Sequence, residues 1–199
     1  MNLALCSIAV ALGVLAMLTP CLLYNKLAAL RSRLRHAYAQ VDLQLLRRHD
    51  LIGNLVETVR RHLAHEHDTL EAVVHARGLA RGAMQAARGR VGAASTMSAV
   101  AEAEGVLDAG LGRMLALGEA YPTLRANDEL RGLREALTVT ENKVAFARQA
   151  YNDAVCRYNG ACASFPALAV AAILGFEPAL PLEVIEHPIE RAPVRSSLS

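Results

Sequence analysis

Residues 3–23, LALCSIAVALGVLAMLTPCLL, contain no charged side chain, and the first in the chain is Lys26. Coiled at ~1.5 Å per residue, such a run makes a helix about 31 Å long, close to the thickness of a bilayer's hydrocarbon core. The sequence therefore predicts a transmembrane anchor over residues 1–25, with Pro20 in its last turn. A cleaved signal peptide is the competing reading, and it fits less well. Met1-Asn2 brings no basic side chain, the run is long, and the best cleavage point, near Ala28-Ala29, leads straight into Leu30 and arginines. Cys21 follows Thr19-Pro20, where a lipoprotein signal needs a small flexible residue. Lys26, Arg31, Arg33 and Arg35 precede the first acid, Asp42, so the positive-inside rule places the body in the cytoplasm and the amino terminus outside.

The remaining length of this 199-residue chain has room for one soluble domain. Its apolar mass is Ala and Leu, both strong helix formers, and no proline falls between Pro20 and Pro122. A net charge of +2 gives no reason to expect nucleic acid as a partner. Cys6 and Cys21 lie in the apolar run. Cys156 and Cys162 stand six apart on one helix, pointing in different directions, and read as small buried apolar groups rather than a disulfide framework.

Apolar residues recur at helical spacing in four stretches. They are Leu27, Leu30, Leu34, Tyr38, Val41, Leu45; then Leu51, Leu55, Val59, Leu63, Leu70, Val73; then Val100, Leu107, Leu111, Met114, Leu117, Tyr121; and last Leu130, Leu133, Leu137, Val144, Tyr151, Val155, Tyr158. The fold class expected is all-α: an N-terminal transmembrane helix followed by an antiparallel up-and-down four-helix bundle over residues 26–165. Asp50–Gly53 is the expected turn between helices one and two, a kinked continuous helix being the alternative. Arg77–Thr96, with Gly78, Gly82, Gly89 and Gly92, reads as a linker. Asn127 is placed to cap the last helix, with Asp128 and Glu129 in its first turn. Phe165-Pro166 ends it. A short apolar membrane-proximal segment follows over 166–178, then a Pro- and Ser-rich tail, 179–199, that reads as unpacked.

AYAQVDLQLLRRHDLIGNLVETVRRHLAHEHDTLEAVVHAR (37–77), LGEAYPTLRANDEL (117–130), TENKVAFARQAYNDAVCRYN (140–159) and FPALAVAAILGFEP (165–178) resemble the signature segments of the LemA family. The resemblance covers about residues 24–178. It implies a short outside stub, one span and an antiparallel four-helix bundle, in bacterial proteins of largely undefined molecular activity. Gly53 departs from the family pattern, which usually has proline there, and the 77–96 insert is richer in Gly and Arg.

Candidate chemistry is sparse. His62, His65 and His67 with Glu66 read either as a solvated polar face or as a metal site; the spacing matches no zinc-protease motif and no Glu-x-x-His pair, which favours the solvated face. His49 and His75 read the same way. No nucleophile context or phosphate loop is present in the sequence, so no catalytic residue, metal or cofactor is expected. Tyr151-Asn152 and Tyr158-Asn159 repeat at seven residues, and Tyr24-Asn25 opens helix one. Either the tyrosines pack on the bundle seam with the asparagines bonding across it, or the stripe docks a partner helix. Tyr121, Pro122, Arg125 and Asn127, with Glu119, form a second candidate docking corner, against the plain reading that a corner turns the chain.

In an up-and-down bundle the connection between helices two and three returns toward the bilayer. It carries Arg77, Arg81, Arg88 and Arg90 with no acid from Ala72 through Ala101, and near an anionic leaflet each arginine contributes ~1 kcal/mol. Ala167–Phe176 emerges at the same end, to lie in the interface or to cap the bundle's own core. The reading is a non-enzymatic, single-pass inner-membrane bundle that presents an interaction surface to a protein partner or to anionic lipid. The alternative is an accessory regulator of a membrane enzyme such as a protease; a third reading is an enzyme built on the His62–His67 cluster.

Overall fold

The computed structural model describes residues 2–62 and 67–182, with side chains from residue 17 onward except those of residues 123 and 125. Within them are six helices and no strand: α1 (Asn2–His62), α2 (His67–Gly89), α3 (Ala94–Ala120), α4 (Pro122–Arg125), α5 (Asp128–Ala163) and α6 (Ala167–Leu174). The second half of α1 with α2, α3 and α5 makes the four-helix bundle. Its closest pairings are α1 with α5 and α2 with α3.

The backbone of α1 is continuous, through Pro20 and through the expected turn at Asp50–Gly53. That turn is not there because the apolar stripe does not stop. Ile52, Leu55, Val56 and Val59 are all buried, and burying each side chain is worth ~1.5–3 kcal/mol against ~1 kcal/mol for one helical glycine. The second apolar stretch is thus split, its first part finishing α1 and its last part, Leu70 and Val73, lying buried on α2. The residues between, 63–66, lie outside the described part, as do His65 and Glu66 of the histidine cluster.

The expected 77–96 linker shrinks to four residues. Through Gly89 the chain stays helical because Ala76, Ala80, Met84 and Ala87 form a buried seam, whose alanines let α2 approach its neighbours closely. Gly78 and Gly82 have open space where a side chain would be. The true break is at Gly92, whose φ is +88° and whose added Cβ would stand 2.8 Å from the Ala179 Cβ. Only glycine meets both conditions without strain.

Two apolar clusters fill the bundle. The basal one joins Leu27, Leu34, Tyr38, Val41 and Leu45 of α1 to Val144, Tyr151, Val155, Tyr158 and Cys162 of α5, and takes in Met84 and Met97. The distal one gathers Ile52, Leu55 and Val59 with Leu70, Val73, Leu107, Leu111, Met114, Leu124 and Leu130. Cys162 is buried as expected; Cys156 is exposed. Asn127 caps α5, its Oδ1 accepting from the Leu130 backbone N–H at 3.0 Å.

After α5 the chain turns through a cis Phe165–Pro166 bond. Ala167, Ala171 and Phe176 turn inward, whereas Phe165, Leu168, Ile173 and Leu174 stay exposed. Phe176 packs edge-on against Tyr24 at 5.9 Å and lies under the Arg31 guanidinium at 5.9 Å, which fixes α6 beside α1. Residues 179–182, expected as the start of an unpacked tail, are an extended strap with Ala179 and Leu182 buried; the rest of that tail, 183–199, lies outside the described residues. Among the described residues no helix is long and apolar enough to cross a membrane, and the uncharged run 3–23 falls mostly outside those with described side chains.

Two glycine substitutions separate the outer surface from the turn. Gly78→Ala, with nothing to meet, is expected to raise stability by about 0.5–1 kcal/mol. Gly92→Ala is expected to lower it by at least about 1–2 kcal/mol, the cost of a left-handed non-glycine residue alone. Chemical denaturation of both variants measures the opposite signs.

Candidate functional site

The seven-residue Tyr-Asn repeat faces the chain's own strap. Asn159 Nδ2 donates to the Ala179 carbonyl at 2.8 Å while the Ala179 N–H donates back to Asn159 Oδ1 at 2.8 Å. Two turns earlier Asn152 does the same with Leu182, at 3.1 and 2.9 Å. The tyrosine hydroxyls complete the grip, Tyr158 donating to the Glu177 carbonyl at 3.0 Å and Tyr151 to that of Leu180 at 2.9 Å. On the other side the Leu180 N–H donates to the Gly92 carbonyl at 2.8 Å.

The geometry follows from two repeat lengths. Seven helical residues span ~10.5 Å, and the three extended residues from Ala179 to Leu182 span ~10 Å. The strap therefore runs antiparallel to α5 with one asparagine at each end of that interval. Each asparagine reads both backbone groups of one residue, so recognition is of extended backbone rather than of side chains. The tyrosine rings also pack on the seam, Tyr151 edge-on to Tyr38 at 5.7 Å. The asparagines, expected either to bond across the seam or to dock a partner helix, instead hold a strap of the same chain. Burial raises the Tyr151 phenol well above its ordinary range and pushes that of Tyr158 up to about 12, with Cys162 adding to the latter.

Beyond the strap's end is a second polar constellation that sequence reading missed. Arg48 is buried and ion-paired to Glu104 at 2.9 Å, to Asp108, and to Glu141 at 3.6 Å. His49, fully buried rather than on a solvated face, shares a 2.8 Å hydrogen bond with Glu104. Burial alone would lower the Arg48 pKa; Asp108 first, then Glu104 and Glu141, more than offset this and hold it above the usual value. Removing Glu104, which is largely buried with Arg48, costs about 3–5 kcal/mol, whereas Asp108 and Glu141, each about half exposed, are screened by solvent and contribute less. The signal was in the periodicity: Arg48, Glu104 and Glu141 each interrupt an apolar stripe, between Leu45 and Ile52, Val100 and Leu107, and Leu137 and Val144.

The arginines expected to form a lipid-facing plate do not share a face at the base. Arg77 Nε donates to the His49 carbonyl at 2.7 Å, and Arg77 and Arg81 lie 3.8 and 3.5 Å from Asp50. Arg88 pairs with Asp42 at 3.0 Å, and only Arg90 reaches the α2–α3 turn. Arg77 stands beside Gly53, about 45 Å along α1 from Leu23 at ~1.5 Å per residue, several Debye lengths from any surface at that level.

At the distal corner Tyr121 precedes the Pro122 that opens α4, and Glu119 lies 3.9 Å from Arg134. Asn127, besides capping α5, has its Nδ2 3.3 Å from His62 Nε2, while His62 Nδ1 is 2.9 Å from the Thr58 carbonyl. The side chain of Arg125 lies outside the described residues. Among the described residues no three His, Cys, Asp or Glu come together as metal ligands.

Asn159→Ala strips one carbonyl and one N–H of the strap of their partners, at about 1–3 kcal/mol for each group left unsatisfied. Amide exchange at Ala179 and Leu180 is expected to quicken at least tenfold while that of α2 holds. Ionising Tyr158 removes a donor, and its folded pKa lies above the unfolded value near 10. Strap protection is therefore expected to be complete below pH 10 and lost as pH rises through about 12. A pH series of the same exchange measurement reads this.

The LemA family profile matches residues 37–195. The chain is similar to "Magnetosome protein MamQ" of Magnetospirillum gryphiswaldense, with 27% identity over 182 residues that cover 83% of this chain and 67% of that protein. "Magnetosome protein MamQ 2" and "MamQ 1" of Paramagnetospirillum magneticum are each 27% identical over 172 residues, 77% of this chain and 62% of theirs. The chain thus spans about two thirds of the length of these relatives. With well over half of its length inside the family match, the chain belongs to the LemA family.

Proposed function

We propose that this is a membrane-anchored, non-enzymatic interaction protein, held by its uncharged amino-terminal run in a bacterial inner membrane with the bundle on the cytoplasmic side. The observation that carries the reading is where the structure leaves large apolar side chains in the open. Met17, Leu18 and Leu22 on α1, and Phe165, Leu168, Ile173 and Leu174 around α6, are 51–92% exposed and lie toward the same end of the bundle. Elsewhere exposed apolar residues such as Leu43 and Phe146 are scattered singly, which is ordinary for a protein surface. A lipid interface would take up the basal set, and the apolar segment at 166–178 would both close the core and rest on the membrane.

Lys26, Arg31, Arg33 and Arg35 support the cytoplasmic orientation, and the similarity to proteins of Magnetospirillum and Paramagnetospirillum supports the bacterial setting. The body offers partners a helical surface, and the function lies in what that surface holds at the membrane.

The chain contains no tryptophan, so single reporters can be placed cleanly in the full-length protein reconstituted into vesicles. In a Phe165→Trp variant, brominated lipid is expected to quench at least half of the fluorescence. In a Phe146→Trp variant, about 30 Å farther along α5 at ~1.5 Å per residue, quenching is expected to be negligible. Equal quenching at the two positions defeats the basal-interface reading, and recovery of the untreated protein in the soluble fraction defeats the anchor.

A further inference from the structure

Three segments meet at the base of the bundle without filling the space between them. They are α1 around Leu34, the α2–α3 turn from Gly89 to Ala93, and the elbow from Gly175 to Ala179 that joins α6 to the strap. Together they line a cavity of about 330 Å³, within the size range of small-ligand sites. Its walls are held from each side. The Leu180 N–H bonds the Gly92 carbonyl, the Tyr158 hydroxyl bonds the Glu177 carbonyl, and Phe176 packs beneath Arg31.

Charge sets this cavity apart. Arg31 and Arg35, one turn apart on α1, line it with Arg90 from the turn, against one acid, Glu177. Among the described residues none of the three arginines has a carboxylate partner, whereas Arg77, Arg81 and Arg88 are paired with Asp50 or Asp42. Like charges four residues apart on a helix repel, and the side chains of Arg35 and Arg90 are exposed, so packing does not call for arginine at either position. α3 also begins on this wall, at Ala93, with no side-chain cap and no acid in its first turn, so its positive dipole end adds to the field.

We propose that this cavity binds a phosphate monoester, with Arg31, Arg35 and Arg90 sharing its oxygens. Three arginines against one glutamate leave an excess of two positive charges. A phosphate monoester, at about −1.5 to −2 near pH 7, meets that excess, and a single carboxylate does not. Its three oxygens also suit the planar guanidinium fork. A lipid headgroup and a soluble phosphoester present this same group, and the cavity is placed to take either. It opens to solvent, yet Arg31 lies over the Phe176 ring, which itself packs on Tyr24, one residue past the uncharged run. Helical side chains lean toward the amino terminus, which for α1 is the basal end.

Native mass spectrometry of the full chain in detergent tests this, with phosphatidic acid, phosphatidylcholine and glycerol 3-phosphate as probes. Working in detergent keeps the outcome independent of the anchor, which the quenching measurement tests separately. A lipid source is read from retention of phosphatidic acid at least tenfold above phosphatidylcholine, and a soluble source from retention of glycerol 3-phosphate without that lipid preference. In either case Arg35→Gln with Arg90→Gln is expected to weaken the retained probe at least tenfold. Lys26→Gln with Arg33→Gln removes equal charge at the same end but outside the cavity, and is expected to change binding less than twofold. Glu177→Gln, which leaves the backbone carbonyl that Tyr158 holds, is expected to tighten binding severalfold, a gain that a misfolded variant would not give. Equal weakening by the two double variants overturns the proposal, since it marks a diffuse basic surface. So does failure of both phosphate probes to bind the unaltered chain.

Discussion

The antiparallel seam between α1 and α5 is the constraint on which the other elements depend. Tyr38 meets Tyr151 ring to ring, and ten residues farther along α1 Arg48 reaches Glu141, ten residues back along α5. Equal steps on the two helices mean that they run side by side without slippage. This register sets where α5 ends, level with Lys26, and so where α6 must lie. It also turns the Tyr-Asn pairs away from solvent and toward the gap that the strap fills. A helical bundle with a long α1–α5 pair and a shorter α2–α3 hairpin leaves room beside α3, and the extended segment from Glu177 to Leu182 is the piece that closes it at the base.

The buried charges sit where the basal and distal apolar clusters meet, with Arg48 and His49 between Leu45 of one cluster and Ile52 of the other. A uniform Ala/Leu interior tolerates sliding by a turn, since one aliphatic contact replaces another at little cost. An arginine that needs three carboxylates from two other helices tolerates none. The network is therefore well suited to holding α1, α3 and α5 at one height, at the cost of desolvating charges that an apolar core would not carry.

Much of this was legible from residue spacing. Apolar stripes located the buried faces of α1, α3 and α5 and of the first turns of α2, because a 3.6-residue repeat survives whatever the neighbours are. The capping role of Asn127 and the break at Phe165-Pro166 were equally local. Helix ends set by packing were not legible. Gly53 reads as a breaker in isolation yet lies inside α1, and the glycines of α2 read as a linker although Ala76, Ala80 and Ala87 on the opposite face hold the helix together. The strap was hidden for a different reason. An extended segment bound through its backbone needs no particular side chains, so only its receptor, the Tyr-Asn repeat, left a mark on the sequence. Arg77, Arg81 and Arg88 were misplaced because their acids, Asp42 and Asp50, are distant in sequence.

The unbroken course of α1 carries a mechanical corollary. From Leu23 to His62 the rod extends about 58 Å at ~1.5 Å per residue, and the bundle is clamped to its side rather than hinged from its end. Tilting the rod by about 10° at its Lys26 end would sweep the far tip through about 10 Å at ~1.5 Å per residue. A small leaning of the lower portion would thus reappear, magnified, at the corner where His62 meets Asn127.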